Sequence, residues 1–294
     1  MKVAVAKYPV GAPRDFTEFA DKQAQLVAEA AQAGATVAVL PEYLSLELAA
    51  TFDVAISAEL IASFSAIQQY RQQWIELYSR LAREHRLHLV AGSFLLAFGQ
   101  DRYRNRSDWF TPDGAHGWQD KLQLTGFEKS TGVIEAGDAL KVFEAQGVRA
   151  GISVCYDVEF PLPVRAQRES GARLLMVPSC TDTEAGATRV RIGCQARALE
   201  NRMFVAQSVT AGEAAWNPAL DINTGEAAIY APMDVGLPAD GIVMQTQADQ
   251  VWAMAELDFE ALEASRARAQ VANDRDWNGQ LAPGIARASL SRPV

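Results

Sequence analysis

Apolar residues along this chain follow two alternating rhythms: short β-rich runs, and longer stretches at helical spacing. Met1-Lys2-Val3-Ala4-Val5-Ala6-Lys7-Tyr8-Pro9 reads as a strand ended by proline. Asp15 with Glu18 three residues on has the form of a helix capping box. Phe16, Phe19, Ala20, Ala24, Val27, Ala28 and Ala31 then recur at helical spacing until Gly34 stops the run. Val37-Ala38-Val39-Leu40 predicts a buried strand that delivers Pro41-Glu42-Tyr43. A helical region from about Ala58 to His85 carries Leu60, Ile61, Phe64, Trp74, Leu77, Tyr78 and Leu81, and a strand follows from Leu87.

Residues 103–121 read as a β-meander around a Pro112-Asp113-Gly114 turn, and 140–144 with 148–154 as a hairpin running into Cys155. Residues 161–170 predict a short helix closed by Gly171, 174–178 a strand, 184–201 a helix and 203–209 a strand. Further β-like runs at 227–230, 242–246 and 251–257 precede a last helix near 259–269. The interleaving argues for α/β layers, and without a Gly/Ser/Pro linker residues 1–294 read as one domain.

Composition narrows the partners. The 294 residues are 49% hydrophobic and 21% charged, which disfavours disorder. Net charge is −9, from 27 basic and 36 acidic residues, so phosphate backbones and anionic membranes are expected to be repelled. No run approaches the roughly 18 apolar residues of a membrane helix, and the first strand is too short for a secretory segment. Three cysteines, an odd count, suit free thiols in a reducing compartment, so a cytoplasmic protein is expected.

Three strand ends finish in groups that can do chemistry. Glu42 follows Leu40-Pro41, Lys121 follows Gln119-Asp120, and Cys155 ends the run Gly151-Ile152-Ser153-Val154. Singly, each has a plain reading as a loop carboxylate, a solvated lysine or an inert buried thiol. Together they suit three roles in acyl transfer. With the opening strand, Leu40-Pro41-Glu42, the lysine segment, Cys155-Tyr156-Asp157 before Phe160-Pro161, and Arg197-Ala198-Leu199-Glu200-Asn201, the chain resembles the nitrilase superfamily of carbon–nitrogen hydrolases over nearly its whole length.

The resemblance implies a four-layer αββα sandwich that dimerises to αββα–αββα, with the tail of about 272–294 extended or at the dimer interface. It implies a Glu–Lys–Cys triad with Glu42 as base, Lys121 as oxyanion stabiliser and Cys155 as nucleophile, acting without metal or organic cofactor. A thiol with a pKa near ~8.5 is mostly protonated at neutral pH, and an adjacent carboxylate can take its proton during attack. Glu128 is a candidate second glutamate, with Glu135 a nearby competitor. Asp157 and Glu159 read as structural near the cysteine turn, and Arg197 with Glu200 as a helix pair. Tyr156, Ser179, Cys180 and Thr181 are expected to line the pocket, with Tyr156 also offering a backbone N–H to the oxyanion. Trp216 is a candidate aromatic wall, and Arg189 and Arg191 are candidate substrate-side residues.

The substrate implied is a small linear amide. Hydrolysis of a C≡N bond or of an N-carbamoyl group are alternatives within the resemblance, and a non-catalytic binding member is the alternative outside it. Tyr156-Asp157 suits amidase-like branches, since nitrilases usually carry Trp-Glu after the cysteine. Many relatives have arginine where Glu159 stands and histidine where Gln123 stands, which leaves the substrate open. The sequence holds no Gly-x-Ser-x-Gly elbow, Walker A motif or dinucleotide-binding fingerprint.

Overall fold

The structure, a computed structural model, describes residues 1–285 and 287–289. Its strands are β1 (Lys2–Pro9), β2 (Val37–Leu40), β3 (His88–Ala97), β4 (Tyr103–Phe110), β5 (His116–Asp120), β6 (Val142–Ala145), β7 (Val148–Ile152), β8 (Leu174–Ser179), β9 (Phe204–Glu213), β10 (Ile222–Asn223), β11 (Ala228–Tyr230), β12 (Ile242–Gln245) and β13 (Trp252–Glu256). The α-helices are α1 (Phe16–Gln32), α2 (Val54–Ser57), α3 (Leu60–Ala66), α4 (Arg71–His85), α5 (Gly126–Ser130), α6 (Pro161–Glu169), α7 (Glu184–Asn201), α8 (Phe259–Ala264) and α9 (Asn273–Asp276).

Strand pairing runs β5-β4-β3-β2-β1-β9-β8-β7-β6. The seam is β1: Val3–Val5 pair with β2 and Lys2–Ala6 with β13, whereas Lys7–Pro9 pair with β9. The sheet curls there, so its halves stack. Alternation along the strands sorts side chains between layers. Val3, Val5, Val37, Val39 and Val90 join the cluster that also holds β7–β9 residues and Val164, Val190, Cys194 and Ala198 of α6 and α7. Ala4, Ala6, Tyr8, Ala38, Leu40 and Leu89 face the other way, onto Phe19 and Val27 of α1 and Trp74, Tyr78 and Leu81 of α4. The expected four-layer αββα sandwich is therefore the observed fold.

Local departures have local causes. Asp15 caps α1 by accepting from the Glu18 N–H at 2.9 Å, but Glu18 returns to the Arg14 N–H, so the box forms by half. The helix expected over 58–85 breaks at a 3-10 turn, Ile67–Tyr70, where Gln68 donates to Leu95 O at 2.7 Å and accepts from Ala97 N at 2.9 Å on β3. The last helix is shorter than expected and gives way to a 3-10 segment, Ser265–Arg268. The tail is helical rather than extended through Leu281. It is docked by Asp274 on Arg266 and Arg168, and residues 286 and 290–294 lie outside the described residues.

The topology gathers the candidate residues. β1, β2, β3, β7, β8 and β9 are mutually parallel, and β5 returns antiparallel to β4, itself antiparallel to β3. Strands β2, β5, β7 and β8 thus leave the sheet at one end, where α/β folds assemble sites. A bulge in β3 between Val90 and Ser93 makes room for the exit of β2. Gly92 sits there at φ +69°, and a Cβ on it would lie 2.1 Å from Pro41 O.

Gly92→Ala should therefore cost about 2 kcal/mol or more in urea denaturation. Gly126→Ala, whose added methyl meets nothing within 4 Å, should stay within about 0.5 kcal/mol of the parent. Equal effects of the two changes would contradict the close approach.

Candidate active site

Glu42, just beyond β2, is buried with every oxygen engaged. Its Oε1 accepts from Lys121 Nζ at 2.7 Å and Asn105 Nδ2 at 2.8 Å, and its Oε2 from the Cys180 N–H at 3.1 Å. Lys121, just beyond β5, also lies 2.8 Å from Glu128 Oε2. Glu128 enters through α5, whose capping box with Thr125 fixes its second oxygen by Thr125 N at 2.9 Å. Its Oε1 accepts from Tyr43 OH at 2.8 Å and Asn105 at 3.2 Å.

The two carboxylates are pushed apart in acidity. Burial raises Glu42 above the usual range, reinforced by the charge of Glu128, and Lys121 offsets this only in part. Burial also acts on Glu128, but Lys121, Thr125 and Tyr43 outweigh it and hold its pKa low. Burial alone would discharge Lys121, yet Glu42 and Glu128 keep it an ammonium well above its ordinary pKa. One carboxylate stays charged, and the other is ready to take a proton.

Cys155 starts a 3-10 helix, Cys155–Glu159, at the left-handed φ of +48°. Non-glycine residues rarely adopt this value, and here the surroundings fix it. Asp157 accepts from Val154 N at 3.2 Å, Leu122 N at 3.1 Å and Gln123 N at 2.6 Å. One side chain thus clamps the cysteine turn to the lysine segment. From behind, Gly193 lets α7 approach Val158, and Arg197, paired to Glu200, donates to Val158 O at 2.9 Å. The Cys155 thiol lies 3.6 Å from Cys180 O and interacts with Glu42. Burial, then Glu42, push its pKa well up against the pull of Lys121, so the group rests as a thiol.

Glu42, Lys121 and Cys155 floor a cavity of about 200 Å³. Tyr156, Cys180 and Thr181 line it, whereas Glu128 and Asn105 stand behind. Ser179 does not reach it: one residue earlier on β8, its Oγ turns back to Val177 O. Trp216 does not wall it either, packing instead against the α1–α4 core, while Pro218 and Ala219 reach the cavity. Of the two arginines, Arg189 is at the mouth, 3.6 Å from Glu159, and Arg191 lines a separate pocket. Asp157 is structural near the cysteine turn, as expected, and its reach to the lysine segment adds to that reading. Tyr43 and Asn105 were not foreseen, and a lone amide between Arg104 and Arg106 was the available signal for Asn105. No group of three or more His, Cys, Asp or Glu among the described residues is arranged to hold a metal ion.

Burial outweighs three backbone hydrogen-bonding partners at Asp157 and pushes its pKa from 3.8 to about 6. A raised folded pKa means the stabilising contribution is full below 3.8 and is lost as pH rises through about 6. Asp157→Asn should cost about 1–3 kcal/mol by placing an amide against those N–H groups. Urea denaturation should give a wider gap from the parent at pH 5 than at pH 7; a gap that grows with pH would contradict the burial effect.

A model of the carbon–nitrogen hydrolase family matches residues 2–251. Probable hydrolase YhcX of Bacillus subtilis is 29% identical over 277 residues, covering 94% of this chain and 53% of that protein, so the chain spans about half that relative's length. Omega-amidase NIT2-A of Xenopus laevis is 25% identical, over 87% of this chain and 88% of the relative. The solved structure of Saccharomyces cerevisiae Nit3, a member of branch 10 of the nitrilase superfamily, has a TM-score of 0.73 at 20% identity, over 94% of this chain and 96% of that one. The family match runs from the first strand to the threshold of β13, and on that ground the chain belongs to the carbon–nitrogen hydrolase family.

Proposed function

We propose that this chain hydrolyses the C–N bond of a small linear amide, with Cys155 as nucleophile, Glu42 as proton carrier and Lys121 as oxyanion stabiliser. The observation that carries this reading is one ammonium on the floor of the cavity that Cys155 lines, held between two buried carboxylates. Kinship with an omega-amidase supports the amide as substrate. The whole chain is proposed to act as one catalytic domain, in a homodimer.

The resting thiol assigns the order of events. As sulfur attacks the amide carbon, the S–H proton passes to Glu42 and the carbonyl electron pair moves onto oxygen. Lys121 and the Tyr156 N–H stabilise that oxyanion; one such donor is typically worth about 3–4 kcal/mol of barrier. The tetrahedral adduct collapses, and nitrogen leaves with the proton from Glu42 as ammonia or an amine. The thioester at Cys155 is then attacked by water, whose proton goes to Glu42 and returns to sulfur as the acid departs. Glu128 keeps Lys121 charged and in place throughout.

Cys155→Ala should abolish ammonia release from short aliphatic amides while leaving the circular dichroism spectrum unchanged; surviving turnover would remove sulfur from the mechanism. Mass spectrometry of the parent should trap an acyl adduct on Cys155, which a binding-only protein would not form. Glu42→Gln keeps shape and leaves Lys121 paired with Glu128. Lys121→Ala strands two buried carboxylates, at a cost of about 3–5 kcal/mol. The glutamine variant is therefore the cleaner probe of chemistry, and it should lose acylation in single-turnover assays.

The pH dependence follows from the raised Glu42. The acid limb of kcat/KM in the parent should lie above the ordinary glutamate value of 4.5, since the base must first lose its proton. A limb at or below that value would contradict burial as the dominant influence on Glu42.

A further inference from the structure

We infer that the cavity selects amides carrying a positive charge at the far end of the acyl chain, an inference that rests on the hydrolase reading above and deepens it. The floor holds one carboxylate, Glu42, and one ammonium, Lys121, with the thiol neutral, and behind the floor Glu128 is a second carboxylate on the same ammonium. Among the described residues the one cation at the mouth is Arg189, and Glu159 faces it at 3.6 Å. Asp182 and Asp221 also line the mouth. Among the described residues neither has a basic partner; Asp221 only accepts the Ile222 N–H at 2.9 Å. Both cations of the cavity are thus matched by acids, and the mouth carries two further negative charges.

A carboxylate on the substrate finds, among the described residues, no cation without an acidic partner here and two anions without a basic one. An alkylammonium finds those same anions at the mouth, while the amide reaches the floor. Between them, Val190, Phe127, Pro218 and Ile222 offer apolar walls for a methylene chain. A volume of about 200 Å³ restricts that chain to a few carbons. The chain as a whole, at net charge −9, favours the same sign of ligand at longer range. The substrate class is therefore a short ω-amino amide.

Three amides of matched length separate charge from size: 4-aminobutanamide, butanamide and succinamate. Ammonia release by the parent protein should rank them cationic, neutral, anionic, with kcat/KM for the first exceeding the last by at least about tenfold at low salt. The ratio should shrink as salt screens the exposed mouth. In Asp182→Asn/Asp221→Asn it should fall to within about threefold. Binding is read separately, from the protection each compound gives Cys155 against iodoacetamide.

Equal or better turnover and protection with succinamate would overturn the charge inference and leave the hydrolase reading standing. Protection by 4-aminobutanamide in preference to succinamate, without ammonia from any of the three, would sustain the charge inference and sink the hydrolase reading. Absence of protection and turnover with the cationic amide overturns the inference outright, as does a cationic preference that survives the double variant.

Discussion

The structure depends on keeping Lys121 charged although its side chain is almost wholly buried. An ammonium with 1% of its side chain exposed is stable only if its lost hydration is replaced, and Glu42 and Glu128 replace it at 2.7 and 2.8 Å. Two buried carboxylates then raise the same problem. Asn105 donates to both, Tyr43 and Thr125 serve Glu128, and the backbone of Cys180 serves Glu42. Each partner comes from a different segment, so the network holds only if strands β2, β4, β5 and β8 and helix α5 are all in register. A buried polar network of this kind is strong when complete and costly when partial, which ties the geometry of the candidate site to folding.

Strain is placed beside this network. Tyr43, next to Glu42, has φ +59°, and Cys155 has φ +48°. Both are held from several sides: Tyr43 by Ser93 Oγ accepting its N–H at 2.8 Å, and the cysteine turn by Asp157 and by Arg197 behind Val158. Sharp turns let a buried strand end present a side chain to a cavity instead of continuing its alternation. The glycines at 92 and 193 supply the close approaches that make such turns possible.

Sequence reading succeeded where periodicity carries the information. The helix over 184–201 was legible to the residue, and in the structure Thr183 caps it by accepting the Gly186 N–H. Glu42, Lys121 and Cys155 stood out as reactive groups at three strand ends, and the structure brings the three side chains to one cavity. Ser179 and Cys180 show the limit: strand alternation turns one toward the cavity and the other away, and the last residue in strand geometry is not marked in the letters. Trp216 lies in a loop, whose path no periodicity specifies. Asn105 matters through partners 63 and 23 residues away in the chain and Tyr43 through one 85 away, and such pairings are set by tertiary register.

The paired glutamates also explain how the proposed chemistry can start from a protonated thiol. Burial keeps sulfur neutral, so the resting site avoids placing a third anion beside Glu42 and Glu128. When Glu42 takes the proton, Lys121 loses one counter-charge but keeps Glu128, and an oxyanion forms nearby to replace the charge that was lost. Negative charge around the ammonium is therefore moved during attack without being increased. With a single glutamate, protonation would leave Lys121 with no carboxylate partner at the moment it is needed. The second carboxylate holds the cation in position while the first changes its charge, which is why their acidities have to differ in the direction the geometry gives them.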